Sequence, residues 1–272
     1  MKQGNEKLMR RERPGDRSRH TAIEPRGRRT LSSRYTVRLA KTQSEIESAL
    51  RLRYDVFNVE LAGHNPGDNN LGLEYDKFDL ACRHLIVVDE HTHETVGTYR
   101  LNSVETAGAP SGFYSYGEFS IEDLPEAVLE KSIEIGRACV AREHRNTKVL
   151  FLLWRGLADY LKNTEKRYLF GCCSIFTTDH AEGWEVFQKL ERDGFLHESL
   201  TVRPRLGKIC RQNGDADIDS RLELPQLFNM YLAIGAKVCG PPVVDPEFGT
   251  IDYFVVCDVE NINEKYRKLL LS

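Results

Sequence analysis

The segment SIEIGRACVA, residues 132–141 of this 272-residue chain, is predicted to form the centre of the protein. Its apolar side chains alternate with polar or small ones, and a period of two is typical of a β-strand. The alternation puts Ile133, Ile135 and Arg137 on one face of the strand and Glu134 on the other. The side chains of Glu134 and Arg137 therefore need a bend or bulge between them if they are to meet.

The residues that follow continue as alternating helices and strands. NTKVLFLLWRGLADYLKN, residues 146–163, carries the apolar stripe of an amphipathic helix. RYLFGCCSIF at 167–176 predicts a buried strand, and TDHAEGWEVFQKLERDG at 178–194 predicts a helix that ends at Gly194. Three more elements are expected in the last fifth of the chain: a helix at 224–236, a strand at 251–259 and a final helix at 261–270.

The residues before the central segment predict a strand, a helix and a hairpin. YTVRLA at 35–40 alternates as a half-buried strand, and Thr42 with Glu45 has the spacing of a capping box at a helix start. Two strands near 84–89 and 95–104 follow as a hairpin. Hairpins followed by alternating strands and helices predict an α/β fold, with a mixed sheet and helices on both faces.

Charge divides the chain into two parts. Residues 1–34 contain 11 basic and 4 acidic residues, net +7, whereas residues 35–272 contain 27 and 37, net −10. The first part has too few apolar residues to fold, so we expect a disordered basic tail, followed by a single domain. Within that domain, the polar residues 203–220 predict an insertion loop. The tail is interpreted as a solvated leader or as weak attachment to an anionic membrane surface, and the acidic body argues against nucleic-acid binding.

Composition also indicates the compartment. The sequence contains no run near the roughly 20 apolar residues of a membrane span, and its first 20 residues lack the apolar stretch of a signal peptide. Seven cysteines without C-x-x-C spacing fit a reducing compartment, so we expect a cytoplasmic protein without a bound metal. His91 and His93 are interpreted as the polar tip of a hairpin rather than as metal ligands.

Five strings in order carry a resemblance to a known family. They are LRYDVF (52–57), EYDKFD (74–79), HLIVV (84–88), VGTYRL (96–101) and EIGRACV (134–140). Together they resemble the acyl-homoserine-lactone synthases and the related N-acyl amino acid synthases. GFYSYGEF, RACVAREHR and LLWRGLADYL are more similar to the lyso-ornithine-lipid synthases, bacterial N-acyltransferases sometimes labelled hemolysin-like.

This resemblance covers about residues 35–260 and implies both a fold and a reaction. The fold would be that of the Gcn5-related N-acetyltransferases (GNAT), with a splayed mixed sheet. The donor would be a long-chain thioester on acyl carrier protein, and the acceptor a free amino acid. No cofactor is expected to stay bound, because the acyl-phosphopantetheine of the carrier enters as a co-substrate.

Aminolysis of a thioester requires a neutral amine, a proton acceptor and donors for the tetrahedral oxyanion. Glu134 is the candidate proton acceptor, directly or through water, with Arg137 beside it at the reaction centre. The alternative is a structural carboxylate paired with Arg137 or Arg100. By analogy with the fold, backbone N–H groups near Val140 are candidates for binding the oxyanion.

Charged residues at the other family positions are candidates for substrate binding. They are Arg53, Asp76, Asp79, Arg100 and Arg137. Either they form a buried ion network that holds the cleft, or some of them bind the ammonium and carboxylate groups of the acceptor. We favour the network for Arg53 and Asp79 and a substrate role for Arg100. Phe57 is expected to be core or to line the acyl pocket.

The connection after the central strand bears on the donor. It reads AREHRNTKV and lacks the glycines with which acetyltransferases cradle the diphosphate of coenzyme A. Residues 134–167 also contain eight basic and four acidic residues, a local excess suited to docking an acidic carrier, or an ordinary solvated helix face. The candidate contacts of the carrier and its phosphopantetheine are Val140, Arg142, Arg145, Asn146 and Lys148.

The sequence therefore predicts an N-acyltransferase that moves a long-chain, in one version 3-hydroxy, acyl group from acyl carrier protein to the α-amino group of ornithine or glycine. Lactone synthesis is disfavoured because the expected tryptophan is absent after Phe57. Covalent catalysis by Cys173 or Ser174 is disfavoured because no histidine lies near them in sequence. A non-catalytic acyl-carrier or membrane-binding protein, and polyanion binding through the tail, remain as alternatives.

Overall fold

The computed structural model describes residues 34–63, 71–211 and 224–271. The strands of this part of the chain are β1 (Tyr35–Leu39), β2 (Arg83–Asp89), β3 (Thr95–Asn102), β4 (Ser132–Val140), β5 (Tyr168–Ile175), β6 (Lys237–Val238), β7 (Val243–Asp245) and β8 (Thr250–Asp258). Its α-helices are α1 (Gln43–Arg53), α2 (Val104–Ala107), α3 (Glu126–Glu130), α4 (Thr147–Thr164), α5 (His180–Arg192), α6 (Gln226–Ile234) and α7 (Glu264–Leu271). A π-helical segment, Tyr54–Leu61, continues α1.

The strands form one mixed sheet in the order β1-β2-β3-β4-β5-β8-β6, with β7 beside β8. Neighbouring strands are antiparallel except β4 and β5, which run parallel. This parallel pairing ends where Glu134 meets Phe170, although both strands continue beyond that point. The sheet is therefore splayed at its centre, and the mixed, splayed α/β fold expected from the sequence is confirmed.

Successive residues of β2 pack against helices on opposite faces of the sheet. Leu85 and Val87 lie in the core cluster that includes Leu153 of α4, whereas Ile86 packs with Ala49 of α1. Because side chains alternate along the strand, one set of apolar residues packs against α4 and the other set packs against α1. Helices cover both faces of the sheet, as the sequence pattern predicts.

Side-chain caps fix where the two helices beside the splay begin. The side chain of Thr42 accepts a hydrogen bond from the N–H of Glu45, whose carboxylate accepts one from the N–H of Thr42, which confirms the predicted capping box. At the start of α4, the Asn146 side chain accepts from the N–H groups of Lys148 and Val149, at 3.1 Å each. Such a cap contributes about 1 kcal/mol to helix stability.

The short strands β6 and β7 do not stand out in the sequence. They contain two and three residues, so neither is long enough to show a period of two. Both pair with β8, which is the strand predicted at 251–259. At the opposite end of the sheet, His91 and His93 lie at the tip of the β2–β3 hairpin, and His93 has a φ of 61°. The predicted turn is confirmed.

The basic tail lies outside the described residues except for Arg34, whose guanidinium pairs with the buried carboxylate of Asp89 at 2.6 Å. Of the predicted insertion loop 203–220, residues 203–211 are described. They contain no helix or regular strand, and Arg203 pairs with Asp123 at 2.6 Å. No helix in the described part of the chain has the length and hydrophobicity to cross a membrane.

Candidate active site

The separation of β4 from β5 opens a cleft in the middle of the sheet. Gly171 and Ile135 directly follow the last paired residues of β5 and β4. A Cβ on Gly171 would overlap the carbonyl oxygen of Ile135, so only glycine allows the two strands to lie this close at the start of the cleft. β4 also contains the predicted bulge: its register against β3 shifts between Thr98 and Arg100, and Arg137 has a φ of 49°. The left-handed backbone at Arg137 re-aims its side chain into the cleft.

Glu134 is buried at the point of the splay. Its Oε1 accepts a hydrogen bond from the N–H of Ser115 at 2.7 Å, and its Oε2 accepts one from the N–H of Tyr114 at 3.0 Å. Burial raises the pKa of Glu134, and these amide hydrogen bonds offset part of that rise. Glu134 thus supplies a fixed, desolvated carboxylate that lines the cleft, the kind of environment in which a proton acceptor is found.

The structural alternative for Glu134 was an ion pair with Arg137 or Arg100, and this pairing is wrong. The side chain of Arg137 points instead to Glu74, with 3.0 Å between Nε and Oε1, and Arg100 pairs with Asp76 at 2.7 Å. The bulge turns Arg137 without bringing it to Glu134. The sequence analysis did not predict that the backbone amides of residues 114 and 115 bind Glu134, because nothing in the GFYSYGEF string indicates which way these N–H groups point.

The predicted ion network is present in the structure. Arg53 forms a bidentate pair with Asp79, with distances of 2.6 and 3.1 Å, and Arg100 reaches the same carboxylate at 3.3 Å. These arginines hold the pKa of Asp79 at about 2, against a strong opposing effect of burial. Arg53 is fully buried, which fits the role favoured for it as a structural member of the network.

Glu74 is the member of this network that the sequence analysis missed. It pairs with Arg53 and with Arg137, so three carboxylates face three guanidinium groups. The only signal for Glu74 was its place at the start of the EYDKFD string. Asp76 is the most exposed of these carboxylates, at 24%, and it lines the cleft. The geometry leaves open the substrate roles predicted for Asp76 and Arg100.

Aromatic rings hold the two arginines at the cleft. The guanidinium of Arg137 lies 4.9 Å from the ring centroid of Tyr114 and 4.6 Å from that of Phe248. Arg100 lies 5.6 Å from the same tyrosine ring. Cation–π contacts of this kind stabilise an arginine whose hydration has been removed. Phe57 packs beside Cys139 and lines the cleft.

The residues predicted to meet the carrier lie between β4 and α4. Arg145 forms a bidentate pair with Glu60, which Arg142 also approaches at 3.3 Å. Lys148 is exposed on the first turn of α4, and the Asn146 side chain is occupied as its cap. Glu60 was not anticipated as a partner, and it reduces the free positive charge of this surface.

Val140 presents its backbone to the open edge of β4. The N–H of Ala141 donates to Val96 on β3 at 2.9 Å, and successive residues of a strand direct their N–H groups to opposite sides. The carbonyl of Val140 accepts from Arg145 Nε at 3.1 Å, which places it on the side away from β3. The N–H of Val140 therefore points toward the splay, as the oxyanion prediction requires.

The cysteines of β5 show no sign of activation. Burial raises the pKa of Cys172 and of Cys173, so both remain thiols at neutral pH. Ser174 lies opposite Asp252 in the register of β5 and β8. Nucleophilic catalysis by Cys173 or Ser174 therefore stays disfavoured.

Comparison with known proteins gives consistent results. The family model described as an acetyltransferase (GNAT) domain matches residues 52–155. The L-ornithine N(alpha)-acyltransferase of Rhodobacter capsulatus is 34% identical over 245 residues, which cover 86% of this chain and 93% of the relative. The protein of the same name from Brucella abortus is 30% identical over 243 residues, which cover 85% and 86%.

Solved structures with a similar course of the chain include acyl-homoserine lactone synthases. The coenzyme A-dependent synthase BjaI has a TM-score of 0.49 and 14% identity, with 87% of each chain covered. The synthase LasI has a TM-score of 0.46 and 13% identity, with 88% of this chain and 95% of that chain covered. Likeness at this level carries no functional inference. The identity to the curated relatives over most of both chains shows that this chain is an acyltransferase with a GNAT domain and belongs to the L-ornithine N(alpha)-acyltransferase family.

Proposed function

We propose that the protein transfers a long-chain fatty acyl group from the phosphopantetheine thioester of acyl carrier protein to the α-amino group of ornithine. The observation that carries the proposal is the buried Glu134 carboxylate, held by two backbone amides at the point where β4 and β5 part. The curated relatives named for ornithine support this acceptor over glycine.

In the proposed reaction, the acceptor lies in the cleft with its carboxylate on Arg100 or Arg137. Its α-amine loses a proton to Glu134 and attacks the carbonyl carbon of the thioester. A C–N bond forms, and the N–H of Val140 hydrogen-bonds to the developing oxyanion. The C–S bond then breaks, and the leaving phosphopantetheine thiolate takes up the proton that Glu134 accepted, which restores the carboxylate. The products are an N-acyl amino acid and the free carrier.

The decisive test is turnover with purified acyl carrier protein loaded with a 3-hydroxy or unsubstituted long acyl chain. Release of the carrier thiol and the mass of the amide product are followed for the wild type and Glu134→Gln. Loss of the base is expected to lower kcat by about 10²- to 10⁴-fold. Glu191→Gln, an exposed change on α5, is the matched control and should keep full activity.

The outcomes separate the competing functions. Full activity of a folded Glu134→Gln protein contradicts the base role. No amide from any amino acid, with folded wild type and loaded carrier, contradicts the transferase and favours a non-catalytic acyl-carrier protein. A lactone formed from S-adenosylmethionine would instead favour the synthase alternative.

Carrier docking is proposed for the positive surface at the start of α4. Lys148 is exposed there and approaches the ring of Tyr35, with 5.7 Å to its centroid. Lys148→Glu should raise the KM for the loaded carrier several-fold and leave the KM for a short acyl-pantetheine thioester unchanged, because only the carrier protein reaches this surface. Arg192→Glu, on the exposed side of α5, serves as the control.

We further propose that the protein works in the cytoplasm, with peripheral contact to an anionic membrane through the basic residues 1–34. The net +7 of this segment supports such a contact. Sedimentation with vesicles of anionic lipid, with and without residues 1–33, tests it. Equal binding of both forms, or binding that does not fall with salt, contradicts it.

A further inference from the structure

A buried carboxylate on β8 lies at the cleft and is not used by the proposed reaction. Asp252 is 3% exposed and lines the cleft together with Ser174 and Thr250. The Thr250 hydroxyl donates to Asp252 Oδ1 at 3.0 Å, and Ser174 lies opposite Asp252 in the register of β5 and β8. In the described part of the chain, Asp252 forms no ion pair, unlike the three carboxylates of the ion network.

The surroundings of Asp252 are short of positive charge. Two more buried carboxylates lie near it, Asp245 and Glu118. Lys208 pairs with Glu118 at 3.1 Å and lies 4.0 Å from Asp245, and Arg137 acts on Asp252 from a distance without forming an ion pair with it. Burial raises the pKa of Asp252, and its hydrogen bonds and the charge of Arg137 offset part of that rise. A buried carboxylate without an ion-pair partner is costly, and a bound cation would offset that cost.

Tyr114 connects this group with the reaction centre. The N–H of Tyr114 donates to Glu134, and its hydroxyl donates to Asp245 at 3.4 Å. This one residue therefore contacts both the Glu134 and the Asp245 carboxylates. A second connection runs through Ser115, whose N–H donates to Glu134 and whose hydroxyl lies 3.6 Å from the Cys172 sulfur.

β5 carries this second connection to Asp252. Cys172 and Ser174 lie on the same face of β5, about 7 Å apart at two residues' spacing. Ser174 is paired with Asp252 across the sheet. Glu134 and Asp252 both line the cleft, two strand spacings and four residues apart along the sheet, which is about 16 Å between their Cα atoms. When both side chains extend toward each other, about 10 Å is left between the two carboxylates.

The length of ornithine matches this separation. Its α-nitrogen and its side-chain nitrogen are about 6 Å apart when extended, for bonds of about 1.5 Å. A hydrogen bond of about 2.9 Å at each end extends the reach to about 12 Å. With the α-amine at Glu134, Asp252 is therefore within reach of the side-chain ammonium.

We propose that Asp252, oriented by Thr250, binds the side-chain ammonium of the acceptor and so selects a diamino acid. The inference rests on the proposed function, because it names the part of the same cleft that recognises the acceptor. Asp76 is less suited to this task, since Arg100 and Arg137 already neutralise it. Asp252 is thus a specificity-determining residue rather than a proton acceptor.

The test compares acceptors that differ in one group. Ornithine and norvaline share the same carbon chain, but norvaline lacks the terminal amine. Wild type should prefer ornithine, and Asp252→Asn should lower kcat/KM for ornithine by about 10- to 100-fold, mainly through KM, while the value for norvaline stays the same. Asp258→Asn, on the same strand but paired with Arg167 away from the cleft, is the control.

A second variant decides the question if Asp252→Asn fails to fold. Asp252→Glu moves the carboxylate one methylene further into the cleft, so preference should shift toward 2,4-diaminobutyrate, which is one methylene shorter than ornithine. Equal losses with ornithine and norvaline, or unchanged discrimination in both variants, overturn the inference and leave the transferase standing. A wild type that acylates no amino acid overturns the proposed function, and this inference with it.

Discussion

The N–H of Ser115 donates to Oε1 of Glu134 at 2.7 Å, although the two residues are 19 positions apart. Together with the N–H of Tyr114, which donates to Oε2, this bond lets the loop after β3 fix both oxygens of Glu134 before a substrate arrives. A base placed in this way needs little reorganisation during reaction. Its burial also weakens its charged form, which increases its affinity for a proton.

The pH dependence of turnover should report Glu134. Because burial raises its pKa above the ordinary 4.5, kcat/KM should fall on the acid side with an ionisation above that value. Glu134→Gln cannot titrate, so its residual activity should lack this ionisation. Profiles of the two proteins, measured with the same loaded carrier, check the expectation. An identical acid limb in both would assign the ionisation to another group.

Asp79 should stabilise the fold in a way that is lost at low pH. Its pKa is about 2 in the folded protein and 3.8 ordinarily, so its contribution is complete above pH 4 and disappears as pH falls toward 2. That difference corresponds to about 2 kcal/mol. Asp79→Asn leaves Arg53 without its bidentate partner and should cost roughly 3–5 kcal/mol in urea unfolding at pH 7.

The exposed Asp159→Asn is the control for this measurement and should change stability by about 0.5 kcal/mol or less. A comparable loss in the two variants would mean that the ion network does not carry the effect.

Two glycines on neighbouring strands should differ sharply in their tolerance of a methyl group. A Cβ on Gly171 overlaps the Ile135 carbonyl, whereas a Cβ on Gly136 meets no atom within 4 Å. Gly171→Ala should therefore push β5 from β4 and destabilise the protein by about 1–3 kcal/mol. Gly136→Ala should keep or slightly increase stability. Thermal unfolding of both variants tests the pair, and similar melting temperatures would contradict the close approach.

Asp252 should lower the stability of the free protein, as expected of a group kept for binding. Its pKa is raised in the folded state, so its ionisation costs stability as pH rises from 3.8 through the folded value. The melting temperature of Asp252→Asn should therefore exceed that of the wild type at pH 8, and the difference between the two proteins should be smaller at pH 5. The pKa of Glu134 is raised as well, but Glu134 is present in both proteins, so its effect on stability cancels in the comparison.

Added ornithine provides the matching ligand measurement. It should raise the melting temperature of the wild type and have little effect on Asp252→Asn, because binding to the folded state alone stabilises it. If ornithine raised the melting temperature of both proteins equally, its side-chain ammonium would bind at a residue other than Asp252.

The sequence by itself determined most of the sheet and its long helices. The periods of two and 3.6 predicted β4, β5 and α4, and the Thr42–Glu45 pair marked the start of α1, because these signals are local. The charged positions of the EYDKFD and LRYDVF strings anticipated the ion network. Short strands such as β6 gave no signal, since two residues show no period.

Only the tertiary structure decided what the charged groups do. It gave Glu134 two backbone amides instead of an arginine, and it brought Glu74 and Glu60 to partners more than 60 positions away. It also placed Asp252 in the cleft without an ion-pair partner among the described residues. A carboxylate's pKa and partners depend on burial and on contacts between distant segments, and a linear pattern contains neither.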